Sequence, residues 1–95
     1  MTVKLIRMSS GEDVVATVVS EDDDFVNLKD CIVAVATGSN QLGFAPWSPI
    51  VSETVEYIPV NKKFVVYTTE PSSNVVAQYN QLFNKVIVPS NKIIV

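Results

Sequence analysis

Residues Ser10–Ala34, SGEDVVATVVSEDDDFVNLKDCIVA, read as two strands around an acidic turn. Gly11 supplies a permissive backbone where the segment begins. Val14, Ala16 and Val18 then alternate along one face, with Val15 and Val19 on the other. Apolar residues on both faces suit a bent strand covered on each side. Glu21–Asp24 interrupts the pattern, and Phe25 resumes it in a Val/Ile-rich strand running to Thr37. Leu28, Cys31, Ile32, Val33 and Val35 do not alternate cleanly, and a bulge near Lys29-Asp30 accounts for this.

Outward from this pair, Thr2–Met8 alternates and reads as a first strand, closed by the turn signal Ser9-Ser10-Gly11. Gly38–Pro49 reads as a loop, or a short hairpin followed by a loop. Its Phe44 and Trp47 either pin that segment to the core or form a contact surface. Ile50–Ile58 alternates weakly, and Pro59 confines it to an edge or a strand end. Lys62–Thr69 is a strand, stopped by Glu70-Pro71-Ser72-Ser73-Asn74, which also offers helix caps. Val75, Val76, Tyr79, Leu82 and Phe83 have helical spacing and predict one short amphipathic helix over Val75–Asn84 that docks on the core. Val86–Val88 and Lys92–Val95 flank Pro89-Ser90-Asn91 and read as a bent last strand or a small hairpin. Strands dominate, turn signals recur at short spacing, and a length of 95 residues fits one domain spanning 1–95. The fold expected is a small, strongly bent β-barrel with one late helix.

Composition restricts function. Net charge is −3, with one arginine among the seven basic residues, so a conventional basic nucleic-acid surface is not expected. There is no histidine, which removes the commonest general base and metal ligand. The single cysteine, Cys31, lies in an apolar run and reads as a packed core thiol without an intrachain disulfide. No phosphate-binding loop, dinucleotide fingerprint or nucleophile elbow occurs. The Glu21–Asp24 cluster reads as a solvated turn, and its spacing is not that of a calcium loop. The expectation is therefore no enzyme, no catalytic residue, no metal and no cofactor. Met1–Met8 lacks a signal-peptide core, and no run approaches the ~20 apolar residues of a membrane span, so a cytoplasmic, non-membrane chain is expected. What remains is Phe25 and Asn27 at the turn, an aromatic face that can stack a base beside an amide that can bond its edge.

The order of these elements resembles the Sm/LSm family. Leu5 and Gly11 lead in, Ala16 stands where a second family glycine is usual, and Asp23, Phe25, Val26 and Asn27 match the RNA-holding loop, with one extra residue before Asp23. The resemblance implies a five-stranded, SH3-type open barrel, here with its helix between strands four and five. It implies roles of loop ordering for Asp23, base stacking for Phe25 and a base-edge bond for Asn27. Val86–Val95 is similar to the second family motif, but Val88-Pro89 replaces its Arg-Gly, leaving Lys92 as the nearest cation. The middle of the chain and the helix look like a divergent Sm-like group from marine T4-like cyanophages, which places the chain in a bacterial host. Family precedent implies a homo-oligomeric ring of roughly five to seven subunits, joined strand four to strand five by pairing of their exposed edges. Its partner is then single-stranded RNA; the alternative is a phage structural or protein-interaction module with the same fold and no RNA.

Overall fold

A computed structural model describes residues 2–38, 41–52 and 54–83. The chain is mostly β, with six strands in one antiparallel sheet and one short helix. The strands are β1 (Thr2–Met8), β2 (Asp13–Glu21), β3 (Phe25–Gly38), β4 (Gln41–Pro46), β5 (Ile58–Asn61) and β6 (Val65–Thr69). A 3₁₀ turn, Lys62–Phe64, joins β5 to β6, and helix α1 spans Ser73–Phe83.

The sheet runs β4-β3-β2-β1-β6, with β5 also paired to β3. The reason β3 serves both β4 and β5 is the expected bulge. Val15 pairs with Ile32 but Thr17 pairs with Lys29, so Asp30 and Cys31 together oppose Ala16. Asp30 takes the left-handed conformation, with φ 53°. An extra residue of this kind bends its strand and raises the local twist. The first part of β3 then pairs with β5 (Phe25 to Asn61 through Leu28 to Ile58), and the part beyond the bend pairs with β4.

Two turns and the 3₁₀ segment fix the curvature. Gly11, at φ 96°, closes the β1–β2 turn and donates its N–H to the Met8 carbonyl at 2.9 Å. The Phe64 carbonyl accepts from the Ser9 N–H at 2.7 Å, and the Lys62 N–H donates to the Asp24 carbonyl at 2.8 Å. Residues two apart in the 3₁₀ turn thus hold both ends of β2, which requires that strand to curl.

The curled sheet packs on both faces. Inside the curl, Ile6, Met8, Val14, Ala16, Val26, Leu28 and Val60 form the main core, with Trp47 and Cys31 packed against it. On the outer face, Val15, Ile32 and Tyr79 form a second core with Phe44, Val75 and Phe83. Both faces of β2 are therefore covered, as its double apolar pattern predicts. Helix α1 supplies the outer cover. Ser72 caps it, its Oγ accepting from the Val75 N–H at 3.3 Å. Tyr79 is fully buried, and its hydroxyl meets Thr17 Oγ1 at 2.8 Å and donates to the Lys29 carbonyl at 3.2 Å. Its ring packs on Phe83 with centroids 4.8 Å apart.

Three expectations need adjustment. The resemblance implies five strands, but there are six among the described residues, because Gly38–Pro49 takes its hairpin option and Gln41–Pro46 pairs with the far half of β3. The weakly alternating Ile50–Ile58 contributes only its last residue to a strand, and the strand expected over Lys62–Thr69 opens with a 3₁₀ turn. The helix follows β6 directly, and the segment expected after it, Val86–Val95 with Lys92, lies outside the described residues.

Candidate functional site

The β2–β3 turn is built around a carboxylate. Asp22 accepts from the backbone N–H groups of both Asp24 and Phe25, each at 2.8 Å, and its own N–H donates to the Phe25 carbonyl at 2.9 Å. The Phe25 and Asp24 N–H groups, in that order of strength, hold the Asp22 carboxyl below its usual range. The resemblance gives loop ordering to Asp23; in the structure that work falls to Asp22, one residue earlier. Asp23 is exposed.

Phe25 is 39% exposed, a large aromatic left in the surface at the start of β3. Asn27 lies two residues on, across from Ser20 on one side and Pro59 on the other. Its Nδ2 donates to Ser20 Oγ at 2.9 Å, so the amide is already anchored to the neighbouring strand. Phe25 and Asn27 share one face of β3 by the two-residue period of a strand.

A cation does meet this turn, from a position the sequence reading missed. Lys62, in the 3₁₀ turn, places its Nζ 2.9 Å from Glu21 Oε2, while its N–H bonds to the Asp24 carbonyl. Beside it, Asn61 pairs with Phe25 and caps the 3₁₀ turn, its Oδ1 accepting from the Lys63 N–H at 2.9 Å. Lys63 is exposed. The signal was available: a short apolar strand, Asn61-Lys62-Lys63, then another apolar strand has the strand–polar turn–strand form sought instead in Val86–Val95.

The turn therefore carries an exposed ring, an anchored amide and a lysine paired to a carboxylate. It can stack a planar group and offer hydrogen bonds. Its acidic flank, Glu21 to Asp24, opposes the approach of polyanions. Among the described residues, no group of three or more acidic or thiol side chains is arranged to hold a metal ion. Burial, reinforced by the nearby charge of Asp30, pushes the Cys31 thiol up to about 12, which keeps it protonated and unreactive at neutral pH. No helix of the described residues is long and apolar enough to cross a membrane. No family model matches the chain, and no curated protein matches it.

Proposed function

We propose that this chain is a non-enzymatic, Sm-like barrel subunit that assembles into a homo-oligomeric ring and binds single-stranded RNA at the Phe25 turn. The observation that carries the reading is the pair Phe25 and Asn27 on one face at the start of β3, beside a 3₁₀ turn whose Lys62 and Lys63 adjoin the same acidic turn. Phe25 stacks a base, Asn27 orients it through the free side of its amide, and Lys62 with Lys63 meets the phosphate. Support for self-assembly comes from β6, which ends the sheet with its outer edge unpaired among the described residues and leaves Val66, Tyr67 and the preceding Phe64 exposed. An exposed apolar edge of this kind favours strand addition from a neighbour. On the narrower resemblance, the ring works in the cytoplasm of a phage-infected bacterium.

A second reading is a structural or protein-interaction module of the same fold that binds no RNA. The pairing of Lys62 with Glu21 and of Asn27 with Ser20 favours it, because RNA must compete with both. Titration with a fluorescent U-rich or A-rich oligonucleotide at low salt separates the two. RNA binding predicts a salt-sensitive affinity that falls at least tenfold in Phe25→Ala and in Lys62→Ala. Absence of binding at low salt refutes the RNA reading and leaves the module. Light scattering that finds only a 10.4 kDa species refutes the ring.

A further inference from the structure

We infer that the inner mouth of the curled sheet is a binding site for a small aliphatic carboxylate. The residue that points to it is Lys4. Ile6 and Met8 belong to the core inside the curl, while Val3 and Leu5 pack on the outer one. The two-residue period of β1 therefore turns Thr2 and Lys4 inward as well. An inward-facing charge commonly guards an exposed sheet edge. β1 is no edge, because β2 pairs with it on one side and β6 on the other. Edge protection therefore does not explain this lysine.

The space beside Lys4 is a cavity rather than packed core. It measures about 250 Å³ and lies between β1, β2, the start of β3, β6 and the 3₁₀ turn. At ~30 Å³ per water, that is room for about eight waters. Its floor is apolar, made of Val18, Val26 and Val65 at the margin of the inner core. Lys4 lines it from β1 and Lys62 from the 3₁₀ turn, with Glu21 the one carboxylate in the lining. Both lysines are paired, Lys4 with Glu70 and Lys62 with Glu21. In each pair the lysine is the more enclosed member. Side-chain exposure is 28% for Lys4 against 77% for Glu70, and 38% for Lys62 against 58% for Glu21. Ion pairs this exposed contribute little, so either carboxylate can swing out to water while the ammonium groups stay in the cavity wall.

The lining selects the ligand. The two lysines repel a metal ion, and the acidic run Glu21–Asp24 at the rim repels a polynucleotide. Inorganic phosphate meets the cations but gains nothing from the valines. A carboxylate on a branched body of about five carbons, a size the volume admits, uses every part of the site. Its oxygens accept from Lys4 and Lys62 in place of the glutamates, and its methyl groups cover the valines. The site lies on the opposite face of β3 from the base-stacking ring, since Phe25 directly precedes the inward Val26. Lys62 borders both sites, but Lys4 and Glu70 belong to this one alone, so the inference does not rest on RNA binding.

The test is an NMR titration of the full chain with isovalerate at constant ionic strength, following the valine methyl signals. Saturable shifts are expected at Val18, Val26 and Val65. Isoamyl alcohol, which has the body without the charge, and inorganic phosphate, which has the charge without the body, are each expected to bind at least tenfold more weakly. Lys4→Met keeps an unbranched stem, removes the charge, and is expected to weaken isovalerate binding at least tenfold with an unchanged circular dichroism spectrum. Glu70→Gln releases Lys4 and is expected to tighten binding severalfold, a gain that a purely structural role for Lys4 does not predict. Both variants are expected to keep the wild-type oligonucleotide affinity, so loss of the RNA reading leaves this site standing. A short peptide ending in valine, titrated alongside, tells the two sources of such a carboxylate apart: tighter binding than isovalerate assigns a chain end, weaker binding a free acid. No saturable shift with isovalerate up to tens of millimolar overturns the inference, as does equal affinity for the alcohol or wild-type affinity in Lys4→Met. If Lys4→Met does not fold, the exposed Glu70→Gln decides, and binding no tighter than wild type overturns the inference.

Discussion

Replacing Tyr79 by phenylalanine removes one oxygen and two hydrogen bonds, leaving the ring in place between Val15, Ile32 and Phe83. The hydroxyl meets Thr17 Oγ1 at 2.8 Å and the Lys29 carbonyl at 3.2 Å. Thr17 is itself buried, only 8% exposed, so its hydroxyl loses a partner where water has little access. A net hydrogen bond contributes about 1 kcal/mol, and an abandoned buried polar group costs about 1–3 kcal/mol. Tyr79→Phe is therefore expected to cost about 2 kcal/mol, a fall in Tm of about 10 °C for a domain of this size. Tyr79→Ala removes the packing as well and is expected to cost about 4–5 kcal/mol, a large share of the ~5–15 kcal/mol of a typical domain. Urea denaturation followed by circular dichroism reads both. A double-mutant cycle with Thr17→Val isolates the pair, with an expected coupling of about 1 kcal/mol. A Tyr79→Phe variant within about 0.3 kcal/mol of wild type, with no coupling to Thr17, would falsify the argument that this hydroxyl holds α1 to the sheet.

The same tyrosine sets an alkaline limit. Burial pushes its phenol up to about 12 from 10.0, so above pH 10 the unfolded chain releases the proton while the folded chain retains it. Stability is then complete below that point and falls as pH rises toward the folded value. Cys31, raised to about 12 from 9.0, adds a loss of the same sign that begins lower. Urea midpoints measured across this range in wild type and Tyr79→Phe should show a shallower decline in the variant. At the β2–β3 turn the sign is opposite, because Asp22 is held below its usual value and its contribution disappears as pH falls through that lowered value. Asp22→Ala should lower Tm and speed amide exchange at Asp24 and Phe25, whereas Asp23→Ala should change neither; equal effects would contradict the assignment to Asp22. At the bulge, Asp30→Val forces a β-branched residue to φ 53° and should cost about 1–3 kcal/mol, while Asp30→Asn or Asp30→Gly should cost much less. Thermal melts of the three variants check this, and equal losses would show that backbone conformation is not the issue.

Much of the architecture is legible in local pattern. The period-two apolar residues on both faces of Asp13–Glu21 required cover on each side, and the structure supplies a core inside the curl and α1 outside. The failed alternation after Leu28 located the bulge, because one extra residue reverses the facing of everything beyond it. Ser72 and the spacing of Val75, Tyr79 and Phe83 placed the helix, since capping and the 3.6-residue repeat are short-range properties.

What the chain concealed is long-range. That Lys62 meets the acidic turn depends on β5 pairing with the first half of β3, a register between residues thirty or more positions apart. That Asp22 rather than Asp23 orders the turn depends on which carboxylate reaches two N–H groups once both strands are paired. The hairpin option at Gly38–Pro49 and the helix are each visible in the sequence, but only packing shows that they form one face. Sequence alone determined the alternating strands, the bulge and the amphipathic helix, because each is set by neighbours within a few residues. The meeting of Lys62 with the acidic turn, and the joining of β4 to α1, were decided by tertiary structure, because backbone pairing and core packing choose which distant segments share a surface.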